Sequence, residues 1–230
     1  MTLLETKSLT RIFGGLHAVD GVDFALNTGE VHALIGPNGA GKSTFVGMVS
    51  GRIPASSGEV WFDGRNITAA PAHQRIRAGM AYTFQITAIY AKLSLAQNIA
   101  MAMGSQDQAG ILMALDRVGL ADRAGQIAGD QSYGHQRLLE IAMGVAQSPR
   151  LLILDEPTQG LAESEIADFN DLIKRLAGET TILLIEHNMS VVMALADRIT
   201  VLDMGRVLAT GTPADIQANR DVQNAYLGTS

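Results

Sequence analysis

Residues 36–43 read Gly36-Pro37-Asn38-Gly39-Ala40-Gly41-Lys42-Ser43, which satisfies the spacing G-x-x-x-x-G-K-[ST]. Glycines at these positions let the backbone wrap a phosphate with its N–H groups, and a following helix adds the positive end of its dipole. Lys42 reaches the β- and γ-phosphates of a nucleotide, and the Ser43 hydroxyl is a candidate ligand for Mg²⁺. Thr44 completes the phosphate-binding set. The structural alternative is a Gly-rich turn with a solvated lysine, which the strand before it and the helix after it argue against. A second chemical group is Asp155-Glu156, directly after the apolar run Leu151-Leu152-Ile153-Leu154. Two carboxylates at the C-terminal end of a buried strand lie where open α/β sheets bind ligands. Asp155 suits Mg²⁺, held through its hydration shell, and Glu156 suits the orientation or deprotonation of a water that attacks the γ-phosphate. His187 follows another apolar run, in Glu186-His187-Asn188.

Positioning these groups requires buried strands whose ends meet. Residues 31–35 and 59–62 read as strands, the latter closed by Asp63-Gly64. From Thr2 to about Arg65, short β-rich runs alternate with Gly-containing turns. Residues 95–103, 110–118 and 136–146 carry apolar side chains at three- and four-residue spacing and read as helices. Beyond Pro149, buried strands return at 151–154 and 181–185, with a helix over 163–177 between them. The final residues read as a helix and a tail. A helical insert therefore interrupts an α/β core.

Composition narrows the function classes. A hydrophobic fraction of 47% supports a sizeable core. Charge-free runs such as residues 78–91 are broken by Gly, Thr and Gln, so no span of about 20 apolar residues is available to cross a bilayer. The first residues carry no basic segment followed by an apolar core, which predicts a cytoplasmic location. Without Cys there are neither disulfides nor thiolate metal sites. With 17 Lys and Arg against 23 Asp and Glu, the net charge of -6 offers no basic footprint, and no nucleic-acid partner is expected.

Together these motifs resemble the nucleotide-binding domain of ATP-binding cassette (ABC) transporters over nearly the whole chain. The resemblance implies ATP and Mg²⁺ as ligands and an α/β fold: a P-loop NTPase core with a mixed sheet and an inserted α-helical subdomain. It implies one cassette over residues 1–230, with about 1–85 and 149–230 as the core and about 86–148 as the helical subdomain. Gln85, in Tyr82-Thr83-Phe84-Gln85, falls at the family's Q-loop, where it ligates Mg²⁺ and senses the transmembrane partner. His187 falls at the switch histidine that contacts the γ-phosphate. Residues 131–136, Gln131-Ser132-Tyr133-Gly134-His135-Gln136, resemble the signature Leu-Ser-Gly-Gly-Gln, with Ser132, Gly134 and Gln136 kept. A polar helix cap is the plainer reading of that segment taken alone. Phe13 matches the aromatic position that stacks on adenine, and a core Phe on an early strand is its alternative. The family's D-loop Asp is missing from Gln159-Gly160-Leu161-Ala162-Glu163, which leaves communication through that residue in doubt.

In the family the signature contacts ATP held by the other subunit's phosphate loop. The resemblance thus implies a second ATP-binding subunit, closing head-to-tail over two ATP molecules, with transmembrane permease subunits following the cycle. Phe13-Gly14-Gly15-Leu16-x-Ala18-Val19, Thr83-Phe84-Gln85, Ser132-Tyr133-Gly134, Glu140-Ile141-Ala142 and the ending Ala225-Tyr226-Leu227-Gly228 look like the branched-chain amino-acid uptake subfamily. That subfamily imports hydrophobic amino acids, or urea and short amides, with an external solute-binding protein. The segment 86–100 is where the family receives the permease's coupling helix, although packing within the insert explains it equally. The expected place is the cytoplasmic face of the inner or plasma membrane, reached through the permeases. The competing reading is a soluble cassette acting on ribosomes, DNA or protein complexes. Its relatives usually carry two cassettes, coiled coils or basic insertions, none of which is seen here. A P-loop kinase would make the signature, Q-loop and switch histidine coincidences.

Overall fold

A computed structural model describes residues 1–83 and 88–227. Strands β1 (Thr2–Phe13) and β2 (Leu16–Asn27) form an antiparallel hairpin around Gly14 and Gly15, whose φ angles of 50° and 93° suit the tight turn. Each strand is twelve residues long, where the sequence suggests short runs. The reason is irregular pairing: register shifts between Thr6 and Leu9 and between Leu9 and Arg11 break the two-residue alternation that marks a strand. On the other side of β1 lies β4 (Ser57–Phe62), followed through Asp63-Gly64 by the short β5 (Arg65–Asn66).

The second sheet holds the strands that matter for chemistry: β3 (Val31–Ile35), β6 (Met80–Thr83), β7 (Leu151–Asp155), β8 (Thr181–Ile185), β9 (Arg198–Asp203) and β10 (Arg206–Gly211). Among the described residues its order is β10-β9-β3-β8-β7-β6, parallel throughout except for the β9–β10 hairpin. The sheet is therefore mixed. Every residue of β3, β7 and β8 is buried, which explains the apolar runs at 151–154 and 182–185 and the apolar residues on either side of His32 in β3.

Their side chains alternate between two cores. Leu151, Ile153, Leu183 and Ile185 pack with Phe45, Val46 and Val49 of α1 (Lys42–Val49) and with the four-stranded sheet. Leu152, Leu154, Ile182 and Leu184 face the opposite way, toward α3 (Leu95–Met103), α4 (Gln108–Arg117), α5 (Tyr133–Val145) and α6 (Glu163–Ala177), after the short α2 (Ala72–Arg77). A smaller third cluster joins β3 and β9 to α7 (Met189–Leu195), α8 (Pro213–Ala218) and α9 (Arg220–Leu227). The C-terminus thus forms two helices in place of one. Burial of each such Leu or Ile contributes about 1.5–3 kcal/mol.

Caps set the helix starts more than hydrophobic spacing does. Ser94 and Gln97 form a reciprocal capping box on α3, with bonds of 3.1 and 2.8 Å. Ser132 accepts from the His135 amide at 3.3 Å, so α5 begins three residues before the first residue expected from periodicity. Asp107 accepts from the Ala109 amide at 3.2 Å and moves the start of α4 forward in the same way.

The end of α1 is closed from elsewhere in the chain. Arg75, 3% exposed, donates to the carbonyls of Met48 (2.8 Å), Val49 (2.7 Å), Thr68 (3.0 Å) and Ala70 (2.9 Å). Burial pulls its pKa down to about 10, which leaves the cation at neutral pH to complement the C-terminal dipole of α1. Replacing Arg75 by Ala is expected to cost about 3 kcal/mol, because buried carbonyls lose a charged donor. Calorimetry should then show the melting temperature falling by roughly 6–12 °C.

Candidate nucleotide-binding and hydrolysis site

Because β3, β8, β7 and β6 are parallel, their C-terminal ends share one edge. β3 ends at Ile35 and the chain enters the Gly36–Ser43 loop, leading into α1 at Lys42. The loop is clasped by neighbouring backbone. A Cβ on Gly36 would lie 2.2 Å from the Leu202 carbonyl oxygen, and one on Gly41 would lie 2.3 Å from that of Ala18, so only glycine fits at either place. The Gly205 amide, in the β9–β10 turn, donates to the Ala40 carbonyl at 3.0 Å, and the Ala40 amide donates to Pro37 at 3.1 Å. Asn38 and Gly39 form the tip between them, with Gly39 at φ 81°. No side chain caps α1 and its first turn carries no acidic residue. Lys42 is buried, and its Nζ donates to the carbonyls of Gly36 (2.7 Å) and Pro37 (3.1 Å). Burial lowers its pKa, while Glu156 and Asp155 pull it back up. An uncapped helix start, a tight glycine loop and a desolvated lysine together fit a phosphate. Ser43 and Asp155 add the hard oxygen donors that Mg²⁺ prefers.

Asp155 closes β7 in a buried position, and the Tyr82 hydroxyl of β6 donates to its Oδ2. Burial raises the Asp155 pKa; the Tyr82 bond lowers it, and neighbouring Glu156 raises it further. Its own burial, and after that the bond to Asp155, push the Tyr82 hydroxyl far above the ordinary tyrosine range. Arg52 stacks over the Tyr82 ring at 3.8 Å from the centroid. Glu156 adopts a left-handed backbone, φ 47°, a conformation that costs a non-glycine residue about 1–2 kcal/mol. Its amide still donates to the Ile185 carbonyl at 2.9 Å, so the strained turn stays pinned to β8. His187, with its side chain 58% exposed, places Nδ1 3.9 Å from Glu156 Oε1.

Arg137 secures this turn from below, a role that sequence reasoning missed. Only 1% of its side chain is exposed. Its guanidinium donates to the carbonyls of Asp155 (2.9 Å), Glu156 (3.0 Å) and Pro157 (3.2 Å), and pairs with Glu140 at 2.7 Å. The available signal was the pair Arg137 and Glu140 at i,i+3 on the buried face of a helix. Tyr82 carried no comparable signal, since its partner lies 73 residues away.

Other predicted site residues stand apart. Ser132, Gly134 and Gln136 sit at the start of α5, and among the described residues no hydrogen bond or ion pair joins them to Lys42, Asp155, Glu156 or His187. A Cβ on Gly134 would lie 2.4 Å from Glu165 Oε1, and one on Gly160 would lie 3.1 Å from the Tyr133 ring. The turn at residues 132–134 thus packs on the segment that follows Asp155 and Glu156. Ala162 offers no side-chain cap to α6; Glu165 accepts from its amide at 2.9 Å instead. Phe13 is 43% exposed at the end of β1, with the Arg11 guanidinium 4.4 Å from its ring centroid, and is no core residue. Gln85 lies outside the described residues, beyond the end of β6 at Thr83.

The fold and site define a P-loop nucleoside triphosphatase. An ABC transporter family model matches residues 19–159, and a model for the branched-chain amino acid ATP-binding cassette transporter matches residues 206–230. The chain is 37% identical to the high-affinity branched-chain amino acid transport ATP-binding protein BraF of Pseudomonas aeruginosa and 36% identical to LivG of Escherichia coli, covering 98% of each chain. It is 31% identical to the lipopolysaccharide export system ATP-binding protein LptB of Escherichia coli, over 99% of this chain and 98% of that one. A nucleotide-free ATP-binding cassette from an ABC transporter superposes with a TM-score of 0.91 at 25% identity, covering 98% of this chain and 99% of the other. The cassette MJ1267 in its ADP conformation superposes at 0.89 with 26% identity, covering 99% of each. The chain belongs to the ATP-binding cassette transporter family and is an ATPase.

Arg137→Met is expected to destabilise the protein by about 3–5 kcal/mol, since it removes the cation from a buried pair. Arg137→Met/Glu140→Leu should recover part of that loss in urea melts, because the buried carboxylate goes with its partner.

Proposed function

We propose that the chain is the ATP-binding and ATP-hydrolysing subunit of an importer for branched-chain or related amino acids, or urea and short amides. The observation that carries the chemistry is the convergence of Lys42, Asp155, Glu156 and His187 on one sheet edge, with Glu156 and His187 3.9 Å apart. Gly36, Pro37, Asn38, Gly39, Ala40, Gly41, Lys42, Ser43 and Thr44 bind the phosphates of ATP, and Phe13 stacks on its adenine. Ser43, Asp155 and Gln85 would hold Mg²⁺, which would supply positive charge to the phosphates of ATP. Glu156 takes a proton from the water that attacks the γ-phosphorus, the bond to the β-phosphate oxygen breaks, and ADP and phosphate result. His187 contacts the γ-phosphate and, through its neighbour Glu156, keeps the attacking water in line. A left-handed backbone at Glu156 supports this role, since strain of this kind persists where the surroundings over-determine it.

Two subunits close head-to-tail, so that Ser132, Gly134 and Gln136 at the start of the thirteen-residue helix α5 face the ATP held by the partner's phosphate loop. Their separation from the hydrolysis residues of their own chain supports that arrangement. Residues 86–148 serve as a helical subdomain inserted between core segments 1–85 and 149–230. A groove of about 280 Å³ between α2, α3, β6, α5 and the segment after α1, lined by Arg52, Ile76, Tyr82, Ala88 and Met143, is a seat for a permease segment. Among the described residues no helix is long and apolar enough to cross a membrane. The subunit sits on the cytoplasmic face through the permeases, with an external solute-binding protein delivering cargo. Similarity to BraF and LivG along the chain supports the amino-acid cargo.

Glu156→Gln keeps the shape of the side chain and removes the base. Hydrolysis is expected to fall by at least about 100-fold. ATP-dependent pairing, followed by light scattering, should persist and outlast that of the unaltered protein. Hydrolysis at the ordinary rate in this variant would sink the assignment of Glu156.

A further inference from the structure

The mechanism above makes no use of Glu186, yet its carboxylate is 0% exposed at the edge where hydrolysis is placed. It follows β8 directly and precedes His187. Its two oxygens divide their partners between two loops. Oε1 accepts from the Thr158 amide at 3.0 Å and the Thr158 hydroxyl at 2.6 Å, in the segment after β7. Oε2 accepts from the amides of His187 at 3.1 Å and Asn188 at 3.3 Å. A carboxylate this deeply buried gives up its hydration, which four donors replace. A structure needing only to fill this space would use an apolar side chain without that desolvation cost.

We propose that Glu186 is a positioning residue that ties the Glu156 segment to the His187 segment, so that the two groups keep one spacing through the ATP cycle. The inference rests on the reading of Glu156 and His187 as the hydrolysis pair. The geometry explains why one side chain suffices. Arg137 holds the carbonyls of Asp155, Glu156 and Pro157 on one side of the turn. Glu186 holds the next residue, Thr158, by its amide and hydroxyl. Residues 155–158 are therefore gripped by a cation on their carbonyls and an anion on their donors. The same anion fixes the backbone of His187, whose side chain then stands beside Glu156. Only a group with two equivalent acceptor atoms serves both loops. Glutamine offers one acceptor and an NH₂ donor, which would face at least one of the backbone amides donor to donor.

The test uses the full-length chain, with steady-state ATP hydrolysis, equilibrium ATP binding and the melting temperature measured on each variant. Glu186→Gln is expected to lower kcat by about tenfold or more with ATP affinity and KM within about twofold, because misplacement affects the reacting geometry and not the phosphate loop. Thr158→Val removes the hydroxyl donor alone and should lower kcat by about threefold at unchanged KM. The double variant should be no slower than Glu186→Gln by itself, since both substitutions cut the same tie. A kcat within twofold of the unaltered chain in Glu186→Gln overturns the proposal, as do multiplicative losses in the double variant. If Glu186→Gln does not fold, Thr158→Val decides, and a kcat within twofold there overturns the proposal as well. Glu156→Gln runs alongside: full activity in it removes the hydrolysis reading and the inference with it, while loss of activity in it beside a normal Glu186→Gln removes the tie alone.

Discussion

Parallel pairing of β3, β8 and β7, buried on both faces, is the constraint from which the site follows. Asp155 pairs with Ile185, and Leu34 also pairs with Ile185, so three strands end at one level. The phosphate loop, the Glu186-His187 segment and the Asp155-Glu156 pair must then emerge side by side. Slippage by one residue would exchange Leu152 and Leu154 with Leu151 and Ile153 between the two cores, at a cost in every strand at once. Packing on both faces therefore protects the chemistry on the edge.

The edge concentrates charge in partly dry surroundings. Lys42, Asp155 and Glu186 are buried, and so is Arg137. Each charge has an assigned opponent: Lys42 meets carbonyls and the field of Asp155 and Glu156, Arg137 meets Glu140 and three carbonyls, and Glu186 meets four donors. Such an arrangement is preorganised, so that little reorientation remains when further charge arrives with a nucleotide. The remaining tension shows in the raised pKa of Asp155 and in the left-handed backbone of Glu156.

Much of this was legible in the chain. Continuous apolar runs marked β7 and β8, and apolar residues flanking His32 marked β3, because strands buried on both faces need no polar alternation. Helix interiors over 95–103 and 163–177 coincide with α3 and α6, whose apolar stripes face one core. Starts were less legible where a cap competed with periodicity, as at Ser132 and Asp107. The long β1–β2 hairpin was blurred by its register shifts. Arg75 and Tyr82 were silent, since each acts on partners far away in sequence, 26 residues from Val49 and 73 from Asp155.

By itself the sequence determined local chemistry: a glycine loop able to approach phosphate, a lysine and a hydroxyl beside it, and carboxylates at the end of a buried strand. These depend on neighbours within a few residues, which spacing reveals directly. Only the tertiary structure decided which distant groups share a boundary. It set His187 3.9 Å from Glu156, put Arg137 under the turn and buried Glu186 between two loops. It also kept the start of α5 unbonded to Lys42, Asp155, Glu156 and His187 among the described residues. Those relations arise from strand order and register, which are properties of the packed sheet and leave no periodic trace along the chain.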